Sequence, residues 1–571
     1  IFHNFSTKFV RHAQEFMAMT SVRQSKQRHL WLLLIYLALV DSLLSIHPCS
    51  ASIPTSLSTP GSSSSLSTSI SPKTSKSKFR LRQVQLIHRH GDRTPITPMK
   101  DEEYWHGTLP EKHVLEGIAK GTALVRPEEG GGGGGHGAAG RGPFGQLTLM
   151  GLLQMIRLGE KLREELSHST TTPESSTGIN DKSPHPGHLK LFTPSEPLHP
   201  RRVSVMSTDF PRTIQSVQAL LTGFFPDIDD FASTTNGEGD APIISIDVRN
   251  TNSYLIPDPQ PRQSPHQLVL EQKLSNRPHL LEREEQLKEV AKRITNQLED
   301  YLGHGADGIS FGIGEEKTTA DDGKYSKEVE MTTTKPLAWA QLSEILTCLH
   351  SRNRLPPSLT SEDVQTVSNH VAWRWFENLR NPVLAKASMW KFADRILDSM
   401  ERKVRVECER VKCNGDGSKV GELIVRSNVG KEGLDVECEE EPLLCIYSAH
   451  DSTLIGMLCI LQLEQPTEWP EYGSYLKIEL IREEMDEDAD AGTGEQTKVM
   501  NHWVRFSLNG EILRSTWLKD ENGENAIMVP LEKLKEMIHL EHDMEEELES
   551  SGLGLKFRWN KGLIVESNEA Q

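Results

Sequence analysis

The sequence predicts an α/β protein, because short apolar runs typical of strands alternate with stretches of helical periodicity. Hydrophobic residues make up 36% of the 571 residues and charged residues 25%, so the chain can build a hydrophobic core. The predicted strands are 81–88, 203–207 and 443–448. The predicted helices are 148–162, 213–224 and 390–404. The first two helices carry apolar residues on one stripe, as helices packed against a sheet do.

The amino-terminal end is expected to be a targeting segment. Residues 1–78 carry eight Lys and Arg against two acids, although the whole chain has a formal net charge of −18. Three basic residues precede an apolar run at 30–40, which is shorter than the roughly 20 residues of a membrane-spanning helix. Small residues follow at 50–52, as in a secretory signal peptide. We expect residues 1–52 to direct the chain to the secretory pathway, with an extracellular or lysosome- or vacuole-like destination. A retained membrane anchor is the alternative.

The remaining chain divides into a linker and one large domain. Residues 53–78 are mostly Ser, Thr, Pro and Lys, a composition that cannot bury enough apolar surface to order itself. Residues 79–571 are expected to form the domain, interrupted by low-complexity inserts such as the glycine run at 130–135. The acidic total argues against nucleic-acid binding, which needs a basic surface. Membrane contact is expected only if the amino-terminal segment is retained as an anchor.

Cleavage near residue 52 would leave six cysteines, an even number that suits disulfides in a secreted chain. They are Cys348, Cys408, Cys413, Cys438, Cys445 and Cys459. Cys408 and Cys413 are the simplest local pair, but the spacings do not determine the connectivity. A zinc site built from four of them is a weaker alternative, since the spacings are too long for a usual zinc knuckle.

The first predicted strand runs directly into Arg-His-Gly-Asp-Arg-Thr-Pro at 89–95. Ligands of open α/β sheets bind just beyond the carboxyl ends of strands. Arg89 and Arg93 offer forked, permanently charged donors to a dianionic phosphate. His90 lies between them and can attack phosphorus with a ring nitrogen, and the Arg charges disfavour its protonation. Taken alone, such a segment is more often a surface ion-pair cluster.

Two other strand ends supply residues of the same kind. His450 and Asp451 follow the third predicted strand, as a further phosphate donor and a candidate general acid. Arg212 begins the helix after the second strand, where free backbone N–H groups also favour anions. This combination is difficult to explain as core packing. The sequence therefore predicts a phosphate site at the ends of three strands.

Four segments resemble the histidine acid phosphatases, a branch of the histidine phosphatase superfamily. Residues 89–95 (RHGDRTP) fill every fixed position of the family's RHGxRxP motif, and 448–453 (SAHDST) resembles its late His-Asp motif. Between them, 145–160 resembles the segment GQLTxxGxxQxxxLG, and 207–213 (STDFPRT) resembles STDxxRT. The motifs occur in the family's order, and the likeness runs from near residue 80 to near residue 515.

The resemblance implies a fold and a role for each matching residue. The fold would be a mixed, mostly parallel sheet with helices on both faces, together with a smaller, mainly helical lobe. No metal or organic cofactor would be needed. The nucleophile would be His90, the phosphate would be bound by Arg89, Arg93, Arg212 and His450, and the proton donor would be Asp451.

The expected function is that of an acid phosphatase, which hydrolyses small-molecule phosphate monoesters through a phosphohistidine intermediate. Asp451 must be protonated in the first step, so an acid pH optimum is expected. One alternative is a mutase or phosphotransferase of the same superfamily, against which the late His-Asp pair speaks. The other is a non-catalytic protein that binds phosphorylated ligands. The natural substrate and the oligomeric state are not predicted.

Overall fold

The computed structural model describes the greater part of one compact unit, Thr74–Gln571. The described residues are 78–126, 142–168, 189–226, 243–249, 265–303, 336–415, 441–484 and 501–540, with short strands at 542–544, 557–560 and 563–566. The expected targeting segment, nearly all of the linker and the glycine run lie outside them. Within these ranges, none of the helices combines the length and the apolar content needed to cross a bilayer.

A mixed nine-stranded sheet forms the centre of the described structure. Its order is β2-β4-β3-β5-β1-β6-β7-β8, with β9 also beside β7. The strands are β1 (Lys78–Arg89), β2 (Thr122–Val125), β3 (Val203–Thr208), β4 (Ile244–Arg249), β5 (Leu444–Ala449), β6 (Tyr475–Glu484), β7 (Asn501–Leu508), β8 (Glu511–Leu513) and β9 (Met528–Pro530). β2, β4, β3, β5 and β1 pair in parallel, whereas β6 to β9 add antiparallel pairs. A separate sheet contains β10 (His542–Met544), β11 (Phe557–Asn560) and β12 (Leu563–Glu566).

The helices follow the strands as the alternating pattern predicts. They are α1 (Glu102–Gly107), α2 (Lys112–Ala119), α3 (Leu149–Ser167), α4 (Pro211–Phe224), α5 (Pro265–Ser275), α6 (Pro278–Leu298), α7 (Trp339–His350), α8 (Ser361–Leu379), α9 (Pro382–Gly415), α10 (Asp451–Ile460) and α11 (Leu531–His539). The three predicted strands and the three predicted helices are confirmed, and the third helix extends in both directions to become α9.

Helices cover both faces of the sheet, as expected. On β5, the Ser448 hydroxyl donates to the Thr213 carbonyl of α4 at 2.8 Å. The preceding residue, Tyr447, packs edge-to-face on Phe392 of α9, with 5.0 Å between ring centroids. Because successive side chains of a strand point to opposite faces, α4 and α9 lie on opposite sides of the sheet. The α/β class predicted from the sequence is therefore confirmed.

A second hydrophobic core belongs to a mainly helical lobe. It includes Trp105 of α1, Ile294 of α6, Leu342 and Leu346 of α7, and Val367 of α8, each at most 2% exposed. At 25 cal/mol per Å², burying side chains of this size stabilises the lobe by roughly 1.5–3 kcal/mol each. The lobe therefore has packing of its own, and it holds α7 in a fixed position.

The cysteines depart from the expectation of disulfides. Cys348 on α7, Cys445 on β5 and Cys459 on α10 are free thiols and are buried. Cys445 and Cys459 pack in the core between the sheet and α9, whereas Cys348 packs in the core of the helical lobe. The disulfide expectation does not hold for these three residues. The side chains of Cys408, Cys413 and Cys438 lie outside the described part.

Candidate active site

The carboxyl ends of three neighbouring parallel strands are level with one another. The order β3-β5-β1 places them side by side. Their pairing joins His88 to Ser448, Arg89 to Ala449, and Ser207 to Ser448. The residues that follow these strands therefore emerge together at one edge of the sheet, where open α/β sheets bind ligands.

The loop after β1 crosses the start of α3 at very short range. A Cβ atom on Gly91 would lie 2.4 Å from the Gly151 carbonyl oxygen, and one on Gly151 would lie 2.1 Å from the Asp92 carbonyl oxygen. Both positions therefore require glycine. The Ser216 hydroxyl of α4 accepts a hydrogen bond from the Gly91 backbone N–H at 3.0 Å. Close packing and this bond together fix the loop and its neighbour His90.

His90 has one ring nitrogen fixed and the other available. Its Nδ1 lies 2.8 Å from the Gly91 carbonyl oxygen, which is an acceptor, so Nδ1 carries the hydrogen and donates it. The lone pair is then on Nε2. Burial lowers the pKa of His90 well below its ordinary value, and Arg212, Arg89, His450 and Arg93 lower it further. The ring is therefore neutral, which is the state a nucleophile requires.

The predicted phosphate-binding residues surround His90. We call Arg89, His90, Arg93, Arg212 and His450 the arginine–histidine cluster, and each is at most 6% exposed. The His90 and His450 ring centroids are 5.6 Å apart.

Two aromatic rings hold the arginines of this cluster in place. The Arg89 and Arg93 guanidinium carbons lie 4.2 Å and 6.0 Å from the centre of the Tyr472 ring. The Phe210 ring contacts the Arg212 guanidinium at 4.5 Å and the His450 ring at 5.0 Å. The structure thus brings together all the predicted phosphate-binding residues.

Several buried polar atoms of the cluster have no hydrogen-bond partner among the described residues. They are Arg89 Nε, Arg93 Nε and His450 Nδ1. A buried polar atom without a partner costs about 1–3 kcal/mol, so such atoms are rare and need an explanation. The Thr208 hydroxyl donates its hydrogen to the Thr213 hydroxyl at 2.9 Å and lies 3.1 Å from Nε2 of the His450 ring, so Nε2 donates to Thr208 and Nδ1 of the neutral ring carries the lone pair. The Nε atoms of Arg89 and Arg93 can donate to an oxyanion.

Asp451 is the first residue of α10 and lies against the same cluster. Its Oδ2 accepts from Arg89 Nη2 at 2.7 Å and from the Trp469 indole N–H at 3.0 Å. Its Oδ1 accepts from the Ser452 backbone N–H at 2.8 Å. Burial alone would raise the pKa of Asp451, but these donors and the charge of Arg89 outweigh it, so the pKa lies below its ordinary value. Without substrate the side chain is a carboxylate, and it gains a proton only in acid or when Arg89 turns to another anion.

Helix α7 of the helical lobe contributes residues that the sequence analysis did not identify. Glu344 and Cys348 are four residues apart on α7, and Arg352 follows after four more. The four-residue spacing places Glu344 and Cys348 on one face of α7, whereas Arg352 lies in the turn after the helix ends at His350, and all three reach the loop after β1. No pattern in the sequence marks these residues, since α7 also carries the polar residues Gln341, Ser343 and Thr347.

Each of these residues holds a different part of the loop. Glu344 pairs with Arg93 at 3.2 Å, and the Cys348 thiol lies 3.5 Å from the Arg93 carbonyl oxygen. Arg352 binds both carboxylate oxygens of Asp92, and the Thr148 hydroxyl donates to Asp92 as well. Asp92, the variable residue of the first motif, thus links the loop to the helical lobe.

The described residues contain no group of three or more His, Cys, Asp and Glu side chains that could hold a metal ion. The cluster instead offers donors from arginine and histidine, which suit an anion. A tetrahedral oxyanion with several acceptor oxygens fits the unpartnered donors described above.

The comparison with protein families agrees with the motifs. The sequence model of the histidine phosphatase superfamily (branch 2) matches residues 80–509. Counting factor 60 of Dictyostelium discoideum is 23% identical over 478 residues, which cover 81% of this chain and 87% of that protein. Lysophosphatidic acid phosphatase type 6 of Homo sapiens is 27% identical over 161 residues, or 26% of this chain and 32% of that protein. Lysosomal acid phosphatase of Homo sapiens is 28% identical over 146 residues, or 26% and 22%.

Solved structures with a similar chain path include phytases. The phytase of Citrobacter braakii covers 80% of this chain and 97% of its own, with a TM-score of 0.41 and 14% identity. The Hafnia alvei phytase in complex with myo-inositol hexakis sulphate covers 81% and 96%, with a TM-score of 0.43 and 13% identity.

Proposed function

The chain belongs to the histidine phosphatase superfamily (branch 2), and we propose on that premise that it is an acid phosphatase working through a phosphohistidine on His90. It is a phosphoric monoester hydrolase. The observation that carries the mechanism is the environment of His90. Its Nδ1 is bound to the Gly91 carbonyl, and its ring stays neutral among permanently charged guanidinium groups. A neutral imidazole with a free Nε2 among guanidinium groups is suited to nucleophilic attack on a bound phosphate ester.

In the first step, His90 Nε2 attacks the phosphorus of the monoester. The new N–P bond forms as the P–O bond to the leaving alcohol breaks, and Asp451 passes its proton to the departing oxygen. Arg89, Arg93, Arg212 and His450 bind the phosphoryl oxygens. The guanidinium donors are already oriented and shielded from water, so charge on these oxygens is stabilised without reorganisation.

In the second step, water attacks the phosphohistidine. The Asp451 carboxylate accepts a proton from the water, the N–P bond breaks, and inorganic phosphate leaves with His90 neutral again. Asp451 must therefore be protonated when the first step begins. Since Arg89 and Trp469 lower the pKa of Asp451, an acid medium favours that state, and a bound phosphate that draws Arg89 away favours it as well.

The substrate is proposed to be a small-molecule phosphate monoester. Acid phosphatase relatives, one of them lysosomal by name, support both this class and the secretory pathway or a lysosome-like compartment as the location. We also propose the organisation inferred from the sequence, with a targeting segment at 1–52, a linker at 53–78 and the phosphatase domain at 79–571. The amino-terminal segment acts as a membrane anchor only if it is retained.

Two variants assayed with two substrates test the proton donor. Para-nitrophenyl phosphate has a leaving group that needs little protonation, whereas an alkyl phosphate such as glycerol 2-phosphate needs it fully. Asp451→Asn should lower kcat by roughly 10²–10⁴-fold for the alkyl ester and far less for the aryl ester. His90→Ala should abolish turnover of both. An equal loss for the two esters in Asp451→Asn would remove Asp451 from the role of acid.

A further inference from the structure

We propose that Glu344 is a functional part of the phosphate site, because its negative charge weakens the hold on phosphate and so speeds product release. The proposal rests on the proposed function, since it concerns the phosphate that His90 releases. Glu344 reaches the site from α7 of the helical lobe, far in sequence from every motif. It touches Arg93 rather than the substrate, so its role is that of a positioning and charge-balancing residue.

The geometry of Glu344 is tightly defined. Its Oε1 accepts from Arg93 Nη1 at 3.2 Å, from the Thr97 backbone N–H at 3.2 Å and from the Ile96 backbone N–H. The side chains of Glu344 and Arg93 are only 5% and 7% exposed. Glu344 Oε2 is buried and has no hydrogen-bond partner among the described residues. One oxygen thus holds the loop, while the second carboxylate oxygen makes no hydrogen bond.

The charge of Glu344 matters because substrate and product share the phosphate group. Three arginines and a histidine in a buried site bind a phosphate dianion strongly, and this grip also holds inorganic phosphate after hydrolysis. A carboxylate paired with Arg93 cancels part of that attraction. A unit charge roughly 7 Å from the dianion, in a partly buried site, changes the affinity by about tenfold or more. Glu344 is at such a distance when Arg93 bridges it to phosphate.

Replacement by glutamine separates the charge from the hydrogen bonds. In Glu344→Gln the amide oxygen can keep all three donors, and the amide nitrogen takes the place of Oε2, which has no bond to lose. Glu344→Ala loses the hydrogen bonds as well as the charge. If Glu344 only held the loop, Glu344→Ala would bind phosphate more weakly, and Glu344→Gln would bind it as the wild type does or more weakly. If its charge acts, Glu344→Gln must bind phosphate more tightly than the wild type.

The test is calorimetric titration of inorganic phosphate into the wild type and the variants at pH 7.5. This pH is chosen because burial raises the pKa of Glu344, even though Arg93 and the backbone donors oppose that rise. Glu362→Gln is the matched control, since Glu362 is an exposed residue of α8 in the same lobe. The dissociation constant should fall at least about fivefold in Glu344→Gln and stay unchanged in Glu362→Gln. The inhibition constant of phosphate in a turnover assay at the same pH should fall by the same factor.

Each outcome decides one of the two claims. If the wild type binds phosphate and Glu344→Gln binds it with the same or a weaker affinity, the role of Glu344 is refuted and the proposed function is unaffected. Wild type that binds no phosphate contradicts the proposed function itself. If Glu344→Gln has reduced stability, the rise in Tm with added phosphate gives the same comparison, and a smaller rise than in the wild type counts against the inference.

Discussion

The Trp469→Phe substitution should move the alkaline limb of the pH–activity profile towards higher pH. The Trp469 indole N–H donates to Asp451 Oδ2 at 3.0 Å and is one of three donors that stabilise the carboxylate. Phenylalanine keeps an aromatic side chain at this position but removes the donor. The carboxylate then loses stabilisation relative to the acid, so the pKa of Asp451 rises and the proton donor stays protonated to higher pH.

The size of the shift follows from the hydrogen bond that is lost. A hydrogen bond to a charged group contributes about 1.5–3 kcal/mol when buried. Trp469 is only half-buried, so we use the lower end of that range. At 1.36 kcal/mol per pKa unit this corresponds to a rise of about one unit. The alkaline limb of log(kcat/KM) against pH should therefore move upwards by about one pH unit.

The assay is the pH dependence of kcat/KM for an alkyl phosphate, which needs the proton donor. Trp375→Phe is the matched control, because Trp375 lies edge-to-face on Trp469 with centroids 5.7 Å apart and makes none of the contacts that hold Asp451. Ionisation of the substrate affects all three proteins alike, so it cancels in the comparison. A limb that stays in place or moves towards acid in Trp469→Phe would refute the reasoning.

Two further predictions concern stability. His370 is buried between two tryptophans, and burial with nearby Arg charges lowers its pKa to about 4 from 6.5. The stabilisation by neutral His370 is complete above pH 6.5 and is lost as the pH falls towards 4. Between a pH above 6.5 and pH 5, the free energy of unfolding should therefore fall by about 2 kcal/mol more in the wild type than in His370→Phe. Urea unfolding at these two pH values measures the difference. Arg352→Ala should cost about 3–5 kcal/mol, because it leaves the Asp92 carboxylate buried without its charged partner. Arg354→Ala should cost under about 1 kcal/mol, because the Arg354–Asp101 pair is about half exposed. Equal losses in the two arginine variants would contradict this account of the Asp92 pair.

The parts of the site that follow strands could be predicted from the sequence. Arg89, His90, Arg212 and His450 each lie within a few residues of an apolar strand, and parallel strands bring their carboxyl ends to the same edge. Gly91 and Gly151 belong to motifs as well, and the structure gives the physical reason, which is the close crossing of two backbones. Local pattern and sheet geometry indicated a phosphate site at these strand ends, and the resemblance to the family implied the individual roles.

Other residues could not be predicted, because their partners are distant in sequence. Glu344 contacts residues nearly 250 positions away, and Trp469 reaches Asp451 from a loop without any periodic pattern. The state of Cys348 also depends on packing, since a thiol inside a hydrophobic core meets no second thiol there. Such contacts form where the helical lobe packs on the rest of the domain, and neither composition nor residue spacing predicts that packing.

The most direct test of the central claim is to trap the phosphoenzyme. The wild type is mixed with ³²P-labelled substrate, quenched within milliseconds and digested under alkaline conditions, in which phosphohistidine survives. The label should be found on the peptide that contains His90, should be lost in acid, and should be absent from His90→Ala. Label on another residue, or full turnover by His90→Ala, would contradict the account.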